Sequence, residues 1–282
     1  MGRGRTGGAL GGHPPSRAAP ARPRERPGRD TAYAGLGRLH RLGWTGRRWL
    51  WAERVATYDR TADRLDTVAE SPVCIPGHRF DDGRCGRRGR FWVGTMRDDV
   101  TRAPEGVLYR LEPGGVVLVL DEIRIPNSLA WSPDGRTMSF ADSSSGTIRR
   151  YAFDPDTGAM ESARPFAVTT PPGFPDGSTV DADDFFWDAA FNGGRIVRYA
   201  PDGRVARAIA VPVPCPTSCA FGGPGSNTLS VTTASRGMTP DEPGVRPSAG
   251  APPAFERGVR GIAGPRRAGV EGSPHAVGGV GA

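Results

Sequence analysis

The sequence predicts an all-β protein built from repeated four-stranded units, the pattern of a β-propeller. Three observations predict it: a segment that recurs every 46 to 49 residues, tight-turn signals at matching places in each copy, and almost no helical periodicity. The clearest copy reads Pro126-Asn-Ser-Leu-Ala-Trp-Ser-Pro-Asp-Gly-Arg-Thr-Met-Ser-Phe-Ala-Asp and resumes as Gly146-Thr-Ile-Arg-Arg-Tyr-Ala-Phe-Asp-Pro-Asp-Thr-Gly. The next reads Pro175-Asp-Gly-Ser-Thr-Val-Asp-Ala-Asp-Asp-Phe-Phe-Trp-Asp-Ala-Ala-Phe and resumes as Gly194-Arg-Ile-Val-Arg-Tyr-Ala-Pro-Asp-Gly. Each is strand, tight turn, strand, short loop, strand, tight turn, strand. Pro-Asp-Gly and Asp-Pro-Asp-Thr-Gly favour reversals because proline fixes φ, aspartate bonds its own backbone and glycine accepts positive φ.

An earlier copy is carried by Phe80-Asp-Asp-Gly, Gly89-Arg-Phe-Trp-Val-Gly-Thr and Gly106-Val-Leu-Tyr-Arg-Leu-Glu-Pro-Gly-Gly. A later one is carried by Pro216-Thr-Ser-Cys-Ala-Phe-Gly-Gly and Thr228-Leu-Ser-Val-Thr-Thr. Val55-Ala-Thr-Tyr-Asp-Arg-Thr-Ala-Asp-Arg-Leu reads as the outer strands of a preceding unit. Four short strands per 40 to 50 residues are the sequence mark of propeller blades.

Outside this repeated region the composition changes. The 282 residues include 41 Gly and 28 Pro, concentrated with Ala and Arg at both ends. Residues 1–30 and 264–282 are therefore expected to be disordered tails around a propeller at 31–263, best matched over 50–240. The chain has no lysine, and its net charge of +7 divides into +9 over the first fifty residues and −2 over the rest. The basicity belongs to the tail, so a nucleic-acid partner is not expected of the folded part. No stretch is apolar enough for a membrane span, and no apolar h-region follows the N-terminal arginines. Four cysteines at positions 74, 85, 215 and 219 show no CxxC spacing, so a reducing cytoplasm is the expected setting. Cys74, His78 and Cys85 fit no standard zinc spacing.

Aligning the copies places Asp81, Asn127 and Asp176 at one register position, with Thr217 or Ser218 near it in the next. The first strand of each blade lines the central channel, so these side chains are expected to converge at one mouth. Oxygen ligands of this kind suit calcium, magnesium or manganese, and zinc less preferentially. The plain alternative is that Asp and Asn at strand starts make turns. Arg79 lies close to the same mouth and can bind a sugar carboxylate or hydroxyls; Asp98 and Asp99 follow on the loop after Gly94-Thr95-Met96.

Arg79-Phe-Asp-Asp-Gly-Arg, Gly89-Arg-Phe-Trp-Val-Gly-Thr-Met, Pro126-Asn-Ser-Leu-Ala-Trp-Ser-Pro-Asp-Gly, Pro175-Asp-Gly-Ser-Thr-Val-Asp-Ala, Asn192-Gly-Gly-Arg-Ile-Val-Arg-Tyr and Pro216-Thr-Ser-Cys-Ala-Phe-Gly-Gly resemble one family in order and spacing. It is the senescence-marker-protein (regucalcin), gluconolactonase and luciferin-regenerating-enzyme family, with a last echo at Gly258-Val-Arg-Gly-Ile. The resemblance implies a six-bladed propeller and one divalent cation, calcium or zinc, with manganese or magnesium as further options. It implies that the ion is held by an N-terminal Glu, Asn127 and Asp176, with Asp176 also the general base. It implies that Arg79, Asp81 and Asp99 contact substrate; the position of Asp81 is usually Asn in the family.

The implied activity is hydrolysis of a sugar lactone by a metal-activated water. The alternatives are a non-catalytic or truncated propeller that binds calcium, and a phosphotriester or ester hydrolase on the same scaffold. One family feature has no match. Residues 1–45 offer only Glu25, within Arg-Pro-Arg-Glu-Arg-Pro, so the first blade is expected to be incomplete and the third ligand absent or replaced.

Overall fold

The computed structural model describes residues 77–112, 115–234 and 259–262, together with the backbone of strands at 47–51, 54–59, 64–70 and 254–256. The two expected tails, Glu25 and Cys74 lie outside the described residues. Eighteen strands are described, and no α-helix occurs among the described residues. The order begins β1 (Arg47–Trp51), β2 (Arg54–Asp59) and β3 (Arg64–Glu70) in one antiparallel sheet. The next sheet is β4 (His78–Cys85), β5 (Phe91–Arg97), β6 (Gly106–Glu112) and β7 (Gly115–Ile123). It is followed by β8 (Pro126–Trp131), β9 (Thr137–Asp142), β10 (Thr147–Phe153) and β11 (Met160–Val168). Then come β12 (Phe174–Val180), β13 (Phe186–Phe191), β14 (Arg195–Tyr199) and β15 (Val205–Ala210). The last sheet holds β16 (Pro216–Gly222), β17 (Thr228–Thr233) and β18 (Ala254–Glu256).

Each sheet is a meander, and the turn chemistry read from the sequence makes it one. Between β8 and β9, Gly135 adopts φ 73° and its N–H donates to Ser132 O at 2.9 Å, while Asp134 accepts from the Ser132 hydroxyl at 2.6 Å. The first strands β4, β8, β12 and β16 pack against one another in succession. The strands behind them are covered on both faces: Phe91 through Met96 of β5 are all buried. The fourth strands β7, β11 and β15 are largely exposed or half-buried. This gradient from inner to outer strand is blade geometry.

Large side chains fill the space between neighbouring blades. Trp92, Trp131 and Phe153 join the second and third sheets, with ring centroids 5.7 to 6.0 Å apart. Ile148, Val180, Phe186 and Tyr199 fill the next interval, and Trp187, Ile196, Leu229 and Val231 the one after. Burying each such side chain stabilises the fold by about 1.5–3 kcal/mol, and offset aromatic contacts add about 1 kcal/mol. The blades are held by these intervals, which fixes the inner strands on which the site stands.

Candidate active site

The four inner strands share one irregularity. Along β4, Phe80 pairs with Thr95 and Gly83 with Val93, three steps on one strand against two on its partner. The same slip separates Asn127 from Ala130 in β8 and Pro175 from Ser178 in β12, and a related one separates Pro216 from Ser218 in β16. An extra residue in one strand of an antiparallel pair forms a bulge that bends the strand and re-aims its side chains. The bulges fall on Asp81-Asp82, Ser128-Leu129, Asp176-Gly177 and Thr217, so Asp81 and Asp176 share a bulge position while Ser128, and not the expected Asn127, holds it in β8, with Asn127 one residue before. Ser128 takes φ 61°, a left-handed conformation that costs a non-glycine residue about 1 kcal/mol or more and requires surrounding contacts to hold it. At Gly177 a Cβ would lie 2.4 Å from Ser218 Oγ and 2.8 Å from Thr217 O, so only glycine lets β12 approach β16 there.

These bulges lace the strands together through side chains. Asn127 Nδ2 donates to Ser143 Oγ at 2.9 Å and approaches Asp81 Oδ2 at 3.4 Å. Ser143 Oγ donates onward to Pro175 O at 2.6 Å. The Leu129 N–H donates to Asp82 Oδ2 at 3.2 Å. Ser128 Oγ lies 2.9 Å from Asp176 O and 3.2 Å from Asp188 Oδ1, and Ser178 Oγ donates to Asp188 Oδ1 at 2.8 Å. Arg84 reaches from β4 to hydrogen-bond Ser178 O on β12.

Arg79 stands beside Asp81. Its Nη1 donates to Asp81 Oδ1 at 2.5 Å and to Phe80 O at 3.0 Å, and its Nε donates to Asp98 Oδ1 at 3.1 Å. Burial alone would push the Arg79 guanidinium down, but Asp81 and Asp98 outweigh it and hold it above its ordinary value. Asp99 is placed differently. It accepts from Arg97 and from the Thr101 hydroxyl at 2.6 Å, contacts within its own loop that hold its carboxyl low. The structure thus brings Arg79, Asp81, Asn127 and Asp176 onto adjoining inner strands, and it is Asp98, not Asp99, that reaches Arg79.

The electrostatics are those of crowded, desolvated carboxylates. Burial, then Asp81, Asp82 and Asp188, push the Asp176 carboxyl well above its ordinary value. Burial likewise raises Asp82, against the pull of Arg84. Asp188 is fully buried, and burial pushes it up to about 8 despite hydrogen bonds from Ser178, Ser128 and the Asp176 N–H. Its Oδ2 has no hydrogen-bond partner among the described residues. Sequence reasoning did not single out Asp188, Ser128 or Ser143. A signal for Asp188 exists within the repeat: the paired positions Gly83–Val93 and Ala130–Ser139 correspond to Ser178–Asp188, so a carboxylate stands where a sister blade carries valine.

For a divalent cation, the donor chemistry fits and the donor number falls short. Asp176 and Asn127 present oxygens of the type hard cations take, with the Asn127 amide nitrogen turned to Ser143 and Asp81. The negative charge that raises Asp176 is what a bound cation would relieve. Among the described residues, however, no three His, Cys, Asp or Glu side chains are grouped to hold an ion. No zinc set around His78 and Cys85 is formed among them either.

Fold and site together define a propeller-type all-β protein with an acidic, oxygen-lined site where its inner strands begin. The profile of the SMP-30/Gluconolactonase/LRE-like region matches residues 45–235, and the chain belongs to that family. It is 36% identical over 193 residues to regucalcin of Xenopus laevis, covering 66% of this chain and 64% of that protein. It is 37% identical over 204 residues to L-arabinolactonase of Azospirillum brasilense, covering 71% and 66%. The matches therefore span just under two thirds of the length of these relatives. The crystal structure of a calcium-binding protein, regucalcin, from Agrobacterium tumefaciens superposes with TM-score 0.74 at 30% identity, over 80% of this chain and 77% of that one.

Proposed function

We propose that this protein hydrolyses a sugar lactone at the site formed by Arg79, Asp81, Asn127 and Asp176, with one divalent cation. The observation that carries the reading is that Asp81 and Asp176 stand in the bulges, and Asn127 directly before the bulge, of three successive inner strands. Family membership and the name of the arabinolactonase relative support lactone chemistry, and the calcium-binding relative supports a cation. The reading includes six blades, the first incomplete, around the five sheets described.

Asn127 and Asp176 would hold the cation, and calcium or zinc suits their oxygens, with manganese or magnesium as substitutes. When bound, the cation supplies polarisation of the lactone carbonyl. Asp176 takes a proton from the attacking water as its oxygen bonds to the carbonyl carbon. A bound cation would offset the burial and the neighbouring carboxylates that raise Asp176, which would keep its carboxylate charged and able to accept that proton. The ring C–O bond then breaks, and the proton passes to the departing ring oxygen to give the hydroxy acid. Asn127, fixed by Ser143, orients the site, and Arg79 with Asp81 positions the sugar. Asp99, committed to its own loop, has a part only through movement of that loop.

A second reading rests on the absence of a grouped third acidic ligand among the described residues: a propeller that binds calcium or a sugar without turning it over. Proton release by purified protein separates the two. The protein is stripped of cations, resupplied with calcium, zinc, manganese or magnesium, and tested against sugar lactones, an aryl ester and a phosphotriester. Cation-restored lactone turnover supports the proposal. Turnover of the phosphotriester alone moves the chemistry to phosphoesters, and no turnover by folded protein establishes the non-catalytic reading.

A further inference from the structure

Two serine hydroxyls and two acceptors meet behind Asp176. Ser128 Oγ lies 2.9 Å from the Asp176 carbonyl oxygen and 3.2 Å from Asp188 Oδ1. Ser178 Oγ lies 2.8 Å from Asp188 Oδ1 and 3.2 Å from the same Asp176 carbonyl. Each hydroxyl has one hydrogen to give. The shorter contacts assign them: Ser128 donates to the Asp176 carbonyl, and Ser178 donates to Asp188. Asp188 also accepts from the Asp176 N–H. The backbone on both sides of the Asp176 side chain is therefore held by this cluster.

The cluster joins three strands. Ser128 stands in the bulge of β8, directly after Asn127; Ser178 directly follows the bulge of β12; Asp188 comes from β13. On the other side of the bulge, Gly177 lies so close to β16 that a Cβ would meet Ser218. The place held by Asp188 does not demand a carboxylate, since the matching positions of the two preceding blades are Val93 and Ser139. Asp188 is fully buried, and its Oδ2 has no hydrogen-bond partner among the described residues. Burying such a group is costly, and what it contributes here is the acceptor Oδ1 against the Asp176 bulge.

We propose that Asp188 is a positioning residue for the reaction: its Oδ1, acting as a hydrogen-bond acceptor, fixes the Asp176-Gly177 bulge and so aims the Asp176 carboxylate at the cation and the attacking water. The inference rests on the reading of Asp176 as cation ligand and base, and Asp188 itself touches neither cation nor substrate. A role for charge is a different matter. A carboxylate behind Asp176 would also attract a divalent cation, and replacement by the neutral amide separates that attraction from the acceptor.

The test measures binding of the cation that restores wild-type turnover, by calorimetry, together with lactone kinetics. The proteins are wild type, Asp188→Val, Asp188→Asn and Ser178→Ala, each full-length and shown by circular dichroism to be folded. Valine, which β5 carries at the matching place, removes the acceptor; asparagine keeps an oxygen for the serines. Asp188→Val is expected to bind the cation about 10- to 100-fold more weakly, the range for groups that orient a metal ligand. Its kcat is expected to fall about tenfold or more while KM changes less than about threefold, because misaiming the base leaves the sugar contacts of β4 in place. Asp188→Asn is expected to recover cation affinity to within about threefold of wild type, and Ser178→Ala to lie between the two aspartate variants. A folded Asp188→Val with wild-type affinity and kcat overturns the inference, because a loss of stability alone would make Asp188 a core residue only. Asp188→Asn as weak as Asp188→Val also overturns it, since charge and not the acceptor would then be what acts. Should Asp188→Val not fold, unchanged affinity in Ser178→Ala overturns it. These outcomes leave the lactonase reading standing, whereas wild-type protein that binds no cation and turns over no lactone overturns both.

Discussion

Asn127 Nδ2 stands 3.4 Å from Asp81 Oδ2, though the two residues lie on different blades and 46 positions apart. The same nitrogen donates to Ser143, which ties Asn127 to the Pro175 carbonyl beside Asp176. Asn127 is thus the side chain that links all three inner strands of the site. Asn127→Ala removes both the oxygen offered to a ligand and the donor that spaces Asp81. It is expected to lower cation affinity, read by calorimetry, by roughly 10- to 100-fold, the range typical of groups that orient a metal site. Asn127→Asp adds a carboxylate next to Asp81 and is expected to raise cation affinity while making the cation-free protein less stable.

Ser128 is held at φ 61° with its hydroxyl against Asp176 O and Asp188. Ser128→Ala keeps the strained backbone and leaves buried acceptors short of a donor, so urea unfolding should show a loss of about 1–3 kcal/mol. Ser128→Gly relieves the backbone strain and is expected to lose less.

Asp188 gives stability a distinct pH dependence. Its carboxyl sits near 8 in the folded protein and about 3.9 when unfolded, so between these values the folded state holds a proton the unfolded chain has released. This contribution is fully present below about pH 4 and is lost as pH rises toward 8. With chelator present, the stability of wild type relative to Asp188→Asn is therefore expected to fall across that window and to level off above it. A difference that rises with pH would contradict the assignment.

Farther from the site, Asp181 is fully buried and accepts from Trp187 Nε1 at 2.9 Å and from Arg198 Nη2 at 2.7 Å. Asp181→Ala leaves Arg198 unpaired against Phe185 and Trp187 and is expected to cost about 3–5 kcal/mol in denaturant unfolding. Arg204, paired with Asp202 at the exposed surface, is the control: Arg204→Ala is expected to change stability by less than about 1 kcal/mol.

The strands at 126–168 and 174–210 were legible because their turn residues have local causes: Pro-Asp-Gly at 133–135 and at 201–203 closes a reversal between two strands, although the same triplet at 175–177 lies within β12. Asp81 and Asp176 share the bulge position that their spacing from the turns suggests, but in β8 that position is held by Ser128, one residue after the Asn127 that the spacing picked out. The bulges themselves were not legible. They depend on the Ser128 hydroxyl and the bare backbone of Gly177 meeting the next blade, a relation between residues about 40 to 50 apart that no local pattern encodes. Asp188 escaped because it lies in a buried central strand where the pattern reads as core. Asp98 and Asp99 could not be separated by adjacency alone; Arg79 on one side and Arg97 and Thr101 on the other decide it.

The most direct test of the account is lactone turnover by Asp176→Asn beside wild type, both stripped of cations and then resupplied, with circular dichroism confirming that the variant is folded. The account predicts that cation restores wild-type turnover and that the variant's kcat lies about 100- to 10,000-fold lower, the usual contribution of a positioned general base. A folded variant as fast as wild type, or wild-type turnover indifferent to chelation, would contradict it.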